Sequence, residues 1–243
     1  MVDRRLYLEP GLWRPRVVLH DKKKRYLVDV LRLVPGAKIE VFDGRGFCCE
    51  AVLESCDGAW VLSLGNRQRS LQDGPVAWLG CAILKGRAFD EAIRMVSEIG
   101  VDTFFPFVSE RVVPRLKDSR ISSRMSRWTK IATEAARQSG RTKVMEIEPM
   151  MDFSDMMSIP RAGCGILLHP DGDMPLLKKL ETIGSQDRFV LVGPEGGFSP
   201  NEVEQAKNQG FSVCSLGVNV LRARTAVVVA AAFSCLDTIG NLE

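Results

Sequence analysis

The chain has no run of about 18 consecutive apolar residues, so no membrane span is expected. Its opening stretch, MVDRRLYLEPGLWRPR, is basic but has no apolar h-region, which argues against a secretory signal. Histidine is scarce: only His20 and His169 occur, far apart, and none of the seven cysteines forms a C-x-x-C pair. Cys48 and Cys49 are adjacent, and the other five lie in apolar contexts such as LGCAIL and GCGILL. This pattern argues against a disulfide framework and against any metal site, and it predicts reduced, buried thiols in a cytoplasmic protein. Neither G-x-x-x-x-G-K-[ST] nor G-x-G-x-x-G is present at the glycine turns, so the usual nucleotide-phosphate loops are missing.

What is there is an ordinary globular composition. With 243 residues, 45% hydrophobic and 26% charged, the chain can bury one large core or two smaller ones. Its net charge is only +3, but the charge is unevenly spread. Residues 111–143 hold ten Lys or Arg against two acids, Asp118 and Glu134, a local excess of eight. DKKKRY, at 21–26, is a second basic cluster. One such run is ordinarily a solvated face; two in a nearly neutral protein point to a polyanionic partner.

The first seventy or so residues read as short β segments, RVVLH, AKIEVFD, FCCEAVLES and AWVLSLG, separated by the turn signals PG, DGRG and DG. Their even spacing predicts a small barrel or compact sheet. One helix is predicted among them, KKRYLVDVLRLV, with Leu27, Val30, Leu31 and Val34 on one face. The polar stretch NRQRSLQDGP, at 66–75, marks a boundary and predicts domains 1–72 and 73–243. Beyond it the pattern changes. VAWLGCAIL precedes the helical RAFDEAIRMVSEIG, and TFFPFV precedes a long basic helix ending near Gly140. CGILLH, RFVLVG and FSVCSLG follow, with helical stretches between or after them. Strands alternating with helices predict an α/β domain whose mostly parallel sheet is covered on both faces.

LVGPEGGFSPNEVEQA, at 191–206, reads as a strand, a glycine turn and a helix. Ser199 is the predicted N-cap, Pro200 the first helical residue and Glu202 the capping-box partner, with Phe198 and Val203 as a hydrophobic staple. So much local specification holds the GPEGG loop at the carboxyl end of its strand, the edge where open α/β sheets bind ligands. Gly196 and Gly197 let backbone approach a ligand, whereas Glu195 would repel a phosphate. A ligand with a cationic or neutral face fits better. A second glycine loop follows in GVNVLRARTAVVVAAAFSCL, leading into a helix so rich in Ala and Val that burial nearly all round is expected. Such a helix is either a core element or a dimer seam.

The stretch from GPEGGFS through LGVNVLRARTA resembles the C-terminal signature of the bacterial 16S ribosomal RNA uridine-N3 methyltransferases, of the knotted SPOUT class. LKGRAFDEAIRMVSEIGVDTFFPFVSER and the E-A-x-x-Q-S-x-R element at 134–141 resemble that family's central segments, and VDVLRLVPGAKIEVFDGRG its N-terminal domain. The likeness spans nearly the whole chain. It implies a PUA-like N-terminal β barrel and a C-terminal trefoil-knot methyltransferase domain, and S-adenosyl-L-methionine as cofactor. It also implies 16S ribosomal RNA or the small ribosomal subunit as partner, a homodimer and a cytoplasmic location.

By the same resemblance the cofactor is expected at Leu168, His169, Pro170, Gly193, Pro194, Glu195, Gly196, Gly197, Leu216, Gly217, Val220, Leu221, Arg222, Thr225 and Ala226. RNA is expected at Arg32, Lys85, Arg87, Arg111, Arg137, Gln138 and Arg141, although an exposed helix arginine can equally be just solvated. Arg222 is the candidate for stabilising charge on the deprotonated uracil. Glu195 is either the proton acceptor, a role that water could also fill, or a structural acceptor for loop amides. The chain departs from the family pattern in three places. Arg224 replaces an acid, Val144 and Met145 stand where a proline is usual, and Tyr26 stands in place of a histidine.

Overall fold

A computed structural model of the chain describes residues 4–70, 76–112, 121–160 and 163–235. Part of the predicted boundary at 66–75, residues 113–120 of the basic run and the last residue of the helix predicted to Leu236 lie outside them. Two compact units are formed, one from residues 1–72 with 133–144 and the other from 73–132 with 145–243.

In the first unit, β1 (Arg5–Tyr7), β2 (Arg16–Val18), β3 (Lys38–Phe42), β4 (Phe47–Cys56), β5 (Ala59–Leu64) and β6 (Gln68–Arg69) make one sheet, in the order β1-β3-β4-β5-β2 with β6 on β4. The period-2 pattern decides which side is buried. Ile39 and Val41 of β3 and Cys49, Ala51 and Leu53 of β4 face a core with Leu6, Leu27 and Leu62. Asp57 and Gly58, both with positive φ, close the β4–β5 hairpin as an Asp-Gly pair should.

The helix predicted at KKRYLVDVLRLV is corrected. Only α1 (Asp21–Lys24) is α-helical, and Arg25–Val30 winds as a π turn. Arg32 then takes a left-handed φ of 53°, and Leu33 bonds back to the Leu27 carbonyl. Leu27 and Leu33 are buried, whereas Val30 and Val34 are 63% and 67% exposed. Tertiary packing of two leucines overrode a face drawn for four residues.

The second unit contains β7 (Ala77–Ala82), α2 (Ala88–Ile99), β8 (Thr103–Val108), α3 (Ile121–Ser139), β9 (Glu146–Ile147), β10 (Met151–Asp152) and α4 (Phe153–Met157). It continues with β11 (Cys164–Leu168), β12 (Met174–Pro175), α5 (Leu176–Ile183), β13 (Arg188–Val192), α6 (Pro200–Asn208), β14 (Ser212–Ser215) and α7 (Ala223–Cys235). The last turns of α3, from Thr133, belong to the first unit. The strand order is β10-β8-β7-β13-β11-β14-β12, with β9 on β8, and the pairings are all parallel. Parallel strands need crossovers, and the helices supply them while covering the sheet. Phe105, Phe107, Phe189, Phe198 and Leu191 fill the core between the sheet and α4 and α6.

The final helix departs from its expected burial. Ala223, Ala226, Val227, Ala230, Ala231 and Ser234 are buried, against α2, β7 and β13, but Val228, Val229 and Ala232 are half-buried and Phe233 is exposed. One face of α7 is a core face; the other is an apolar surface.

Candidate cofactor cleft

Because β7, β13, β11 and β14 are adjacent and parallel, the segments after their carboxyl ends emerge along one sheet edge. They enclose a cleft of about 890 Å³, within the range of small-molecule sites. Its wall brings together Leu168, His169 and Pro170 after β11, the whole Gly193–Gly197 loop after β13, and Leu216, Gly217, Val220, Leu221, Arg222, Thr225 and Ala226 after β14. Every residue expected at a cofactor thus lines one cavity. Sequence reasoning missed Leu84 and Ala88 after β7, the buried ring of Phe198, and Arg224. Strand order is what brings β7 alongside, and no local motif carries it.

The glycines do different jobs. At Gly193 a Cβ would come within 3.1 Å of the Phe198 ring, so this glycine makes room for packing. Gly197 and Gly217 have φ of 69° and 120° with open space around a notional Cβ, so they are there for backbone shape. Gly196 faces Arg111, whose Cβ would be 3.3 Å away, and whose guanidinium donates to the Gly196 carbonyl at 3.1 Å.

Two carboxylates fix the loops. An Oε of Glu195 accepts the Lys85 backbone N–H at 3.0 Å, tying the β13 loop to the one after β7. That contact is of the kind the structural-acceptor reading of Glu195 describes. Glu202 is only 1% exposed and completes the capping box with Ser199, as its spacing predicts. It also accepts the Glu110 N–H at 3.0 Å and the Ser109 hydroxyl at 3.1 Å. The Glu110 carboxylate in turn accepts from Asn201, and hydrogen bonds from Ser199 and Asn201 hold its pKa below the usual carboxylate range. The segment after β8 is therefore pinned to the start of α6, which delivers Arg111 to the cleft wall.

His169 accepts the Asp171 N–H on Nδ1 at 3.2 Å, so in its neutral form the ring proton is on Nε2. That tautomer is a donor, not a base, on its other edge. Arg224 pairs with Glu91 of α2, so the charge that replaces the family's acid is met inside the chain. Arg222 lines the cleft, exposed, with no ion pair among the described residues. Burial, with the Glu195 charge adding to it, pushes the Cys81 thiol up, and burial pushes Cys214 up to about 11. Both thiols are free and fully buried.

The expected RNA residues are divided between the two units. Lys85, Arg87 and Arg111 are exposed on the second unit, and only Arg111 reaches the cleft wall. Arg32 and Gln138 are exposed on the first unit, and Gln138 donates to Glu134. Arg137, on the same unit, is held by Glu134 and the Tyr26 hydroxyl, with its guanidinium 4.4 Å over the Tyr26 ring. Arg141, also on the first unit, is 8% exposed, and its carbonyl accepts from Arg5.

Residues 73–234 match the family described as RNA methyltransferase domain, and residues 19–58 match the RNA methyltransferase PUA domain. The protein named Ribosomal RNA small subunit methyltransferase E of Synechocystis is 35% identical over 223 residues, 89% of this chain and 71% of that one. The chain belongs to this RNA methyltransferase family. The Bacillus subtilis protein with the same name as the Synechocystis one is 27% identical to this chain over 228 residues, covering 89% and 88% of the two chains. A crystal structure of the family's Neisseria gonorrhoeae member, bound to S-adenosyl methionine, is similar at a TM-score of 0.84 and 27% identity over 97% of both chains. The family thus joins the parallel α/β unit with the cleft to a PUA unit.

Proposed function

We propose that this protein transfers a methyl group from S-adenosyl-L-methionine to N3 of one uridine in small-subunit ribosomal RNA. The observation that carries the reading is the single cleft at the ends of β7, β13, β11 and β14, in a chain whose relatives are named for methylating this RNA. The residues suit the cofactor. Gly193, Gly196, Gly197 and Gly217 line the cavity, Glu195 is the carboxylate in its wall, and Gly197 and Gly217 give the loops their shape. Bound there, S-adenosylmethionine supplies an electrophilic methyl group on a cationic sulfur.

Leu168–Pro170, Gly193–Gly197 and the 216–226 segment hold and orient the cofactor, and alignment with the nucleophile accounts for much of the rate. Arg222, with no ion pair of its own among the described residues, stabilises the negative charge that uracil carries after losing its N3 proton. Glu195 keeps the loop in place through Lys85, and the proton leaves to water. Lys85, Arg87 and Arg111 contact RNA phosphates, with the PUA-like unit (1–72 with 133–144) assisting the methyltransferase unit (73–132 with 145–243). The carboxyl-terminal loops form the trefoil knot of the SPOUT class. The half-exposed face of α7 is the seam of a cytoplasmic homodimer.

The test is methylation of undermethylated small subunits and of their naked RNA, followed by mass mapping of the modified nucleotides. N3-methyluridine at one position is expected. A methyl group on another base or ring atom would reject the assignment, and failure to bind S-adenosylmethionine by calorimetry would reject the activity.

A further inference from the structure

Three separate stretches of the first unit meet around Arg67, which a buried carboxylate holds. Asp43 has no exposed side-chain surface; one of its oxygens accepts the N–H groups of Arg45 and Phe47 at 2.7 and 3.1 Å. Its other oxygen binds Arg67 at 2.5 Å. The Arg67 guanidinium lies 4.0 Å over the Phe47 ring and 5.2 Å from the Trp13 ring, yet this arginine stays 47% exposed. Trp13 is fixed by its own indole N–H, which donates to the Leu8 carbonyl at 3.0 Å.

Holding the 43–47 loop would not require this. The Arg45 and Phe47 N–H groups occupy only one Asp43 oxygen, and a neutral acceptor such as asparagine would close the loop without the cost of desolvating an ion pair. The arrangement instead sets the exposed Arg67 plane against two half-buried rings, Phe47 and the core-packed Trp13. The cations around it are unspent. Arg14 follows Trp13, Arg45 is in the loop held by Asp43, and Arg69 stands opposite Phe47 in the β4–β6 register. All three are exposed, and none forms an ion pair among the described residues. Leu12, beside Trp13, adds exposed apolar surface at 45%.

We infer that Trp13, Phe47 and Arg67 form a stacking site for unpaired nucleotides of RNA, with Arg14, Arg45 and Arg69 taking the phosphates. Unpaired bases stack on aromatic and guanidinium planes and bring an anionic backbone with them, whereas a duplex hides its base faces. The site rests on the reading that RNA is the substrate and adds to it the state of the RNA that is held.

The test uses the full chain and a fluorescently labelled uridine oligomer of about ten nucleotides, a length of the order single-strand sites cover. The wild type is expected to bind it more tightly than a duplex of equal length. Trp13→Leu should weaken binding about tenfold, the size of one lost stacking contact. Should Trp13→Leu not fold, the surface variant Arg14→Ser with Arg69→Ser decides. Its affinity should fall, and the slope of log affinity against log salt should shrink by about one to two. S-adenosylmethionine affinity should stay at the wild-type value in both. Folded variants that bind the oligomer like the wild type would overturn the site, as would a wild-type preference for duplex. Loss of binding to an acidic peptide but not to RNA would overturn it in favour of a protein partner. Methyl transfer to small subunits is measured alongside. If the wild type transfers methyl groups and the variants keep its RNA KM, this inference fails alone. If the wild type transfers none while oligomer binding depends on Trp13, the proposed activity fails and the stacking site stands.

Discussion

At the scale of single residues, the most demanding position is Glu202. Its carboxylate is met by the Ser199 N–H, the Glu110 N–H and the Ser109 hydroxyl, all donors, in a site that water scarcely reaches. Glu202→Gln would turn an amide NH2 toward one of those donors. Hydrogen bonds to a charged group contribute about 1.5–3 kcal/mol, so a loss of about 2–4 kcal/mol is expected in urea unfolding. Wild-type stability in this variant would show that the clamp carries no energy. Glu134 supplies a second test. The hydrogen bond from Arg137 holds its carboxyl below the ordinary 4.5 despite partial burial. A lowered folded value means the contribution is complete above the unfolded pKa and is lost as pH falls below about 4.5 through the folded value. Stability measured from pH 6 down to 3 should therefore decline less steeply in Glu134→Gln than in the wild type. Parallel curves would count against it.

Among the elements, two sites separate packing from function. Gly172 lies where the chain after β11 runs against β14, and a Cβ there would fall 2.3 Å from the Cys214 carbonyl carbon. Because the obstacle is backbone, it cannot rotate aside. Gly172→Ala should cost several kcal/mol, of the order of other overpacked sites or more, and weaken S-adenosylmethionine binding through the displaced 168–170 loop. A fully stable variant with normal calorimetry would remove this crossing from the argument. α7 is the second case, since its buried face belongs to the core but Phe233 and its neighbours Val229 and Ala232 do not. If that surface pairs two copies, Phe233→Glu should shift sedimentation from dimer to a species near the chain mass of 26.9 kDa with the fold retained. A wild type that sediments only at the lower mass would sink the seam itself.

For the whole molecule, the proposed RNA contact is tested through the basic charge, but not through the arginines that first suggest themselves. Arg137 is committed to Glu134 and Tyr26, and Arg141 is buried, so charge reversal at either would test folding. Arg87 and Lys130 are exposed and form no ion pair among the described residues. Reversing both, Arg87→Glu with Lys130→Glu, should weaken binding to small-subunit RNA and reduce its salt dependence by about two in the log–log slope. S-adenosylmethionine affinity should be unchanged, since neither residue lines the cleft. Equal RNA affinity in the two proteins would leave these residues as solvated surface.

Much of this protein is determined by neighbours along the chain. Ser199, Pro200 and Glu202 set the start of α6, Asp57-Gly58 sets the β4–β5 turn, and alternation sets the buried faces of β3 and β4. The GPEGG loop is readable at the ligand-binding sheet edge because its turn and cap are short and contiguous, whereas the 216–226 segment is placed at a cofactor by the family resemblance. Strand order, by contrast, depends on residues far apart, and it alone places β7 beside β13 and so adds Leu84 and Ala88 to the wall. Burial of Leu27 and Leu33 decided the π winding at 25–30 against a helical pattern that fitted an α-helix. Glu202 shows both levels in one side chain. Its capping role follows from a spacing of three residues, whereas its hold on Ser109 and Glu110 spans more than ninety and arises only once the sheet has formed. Local dihedral preferences and caps act over one helical turn, and partners for a buried charge are chosen by whatever the packed chain brings within hydrogen-bonding distance.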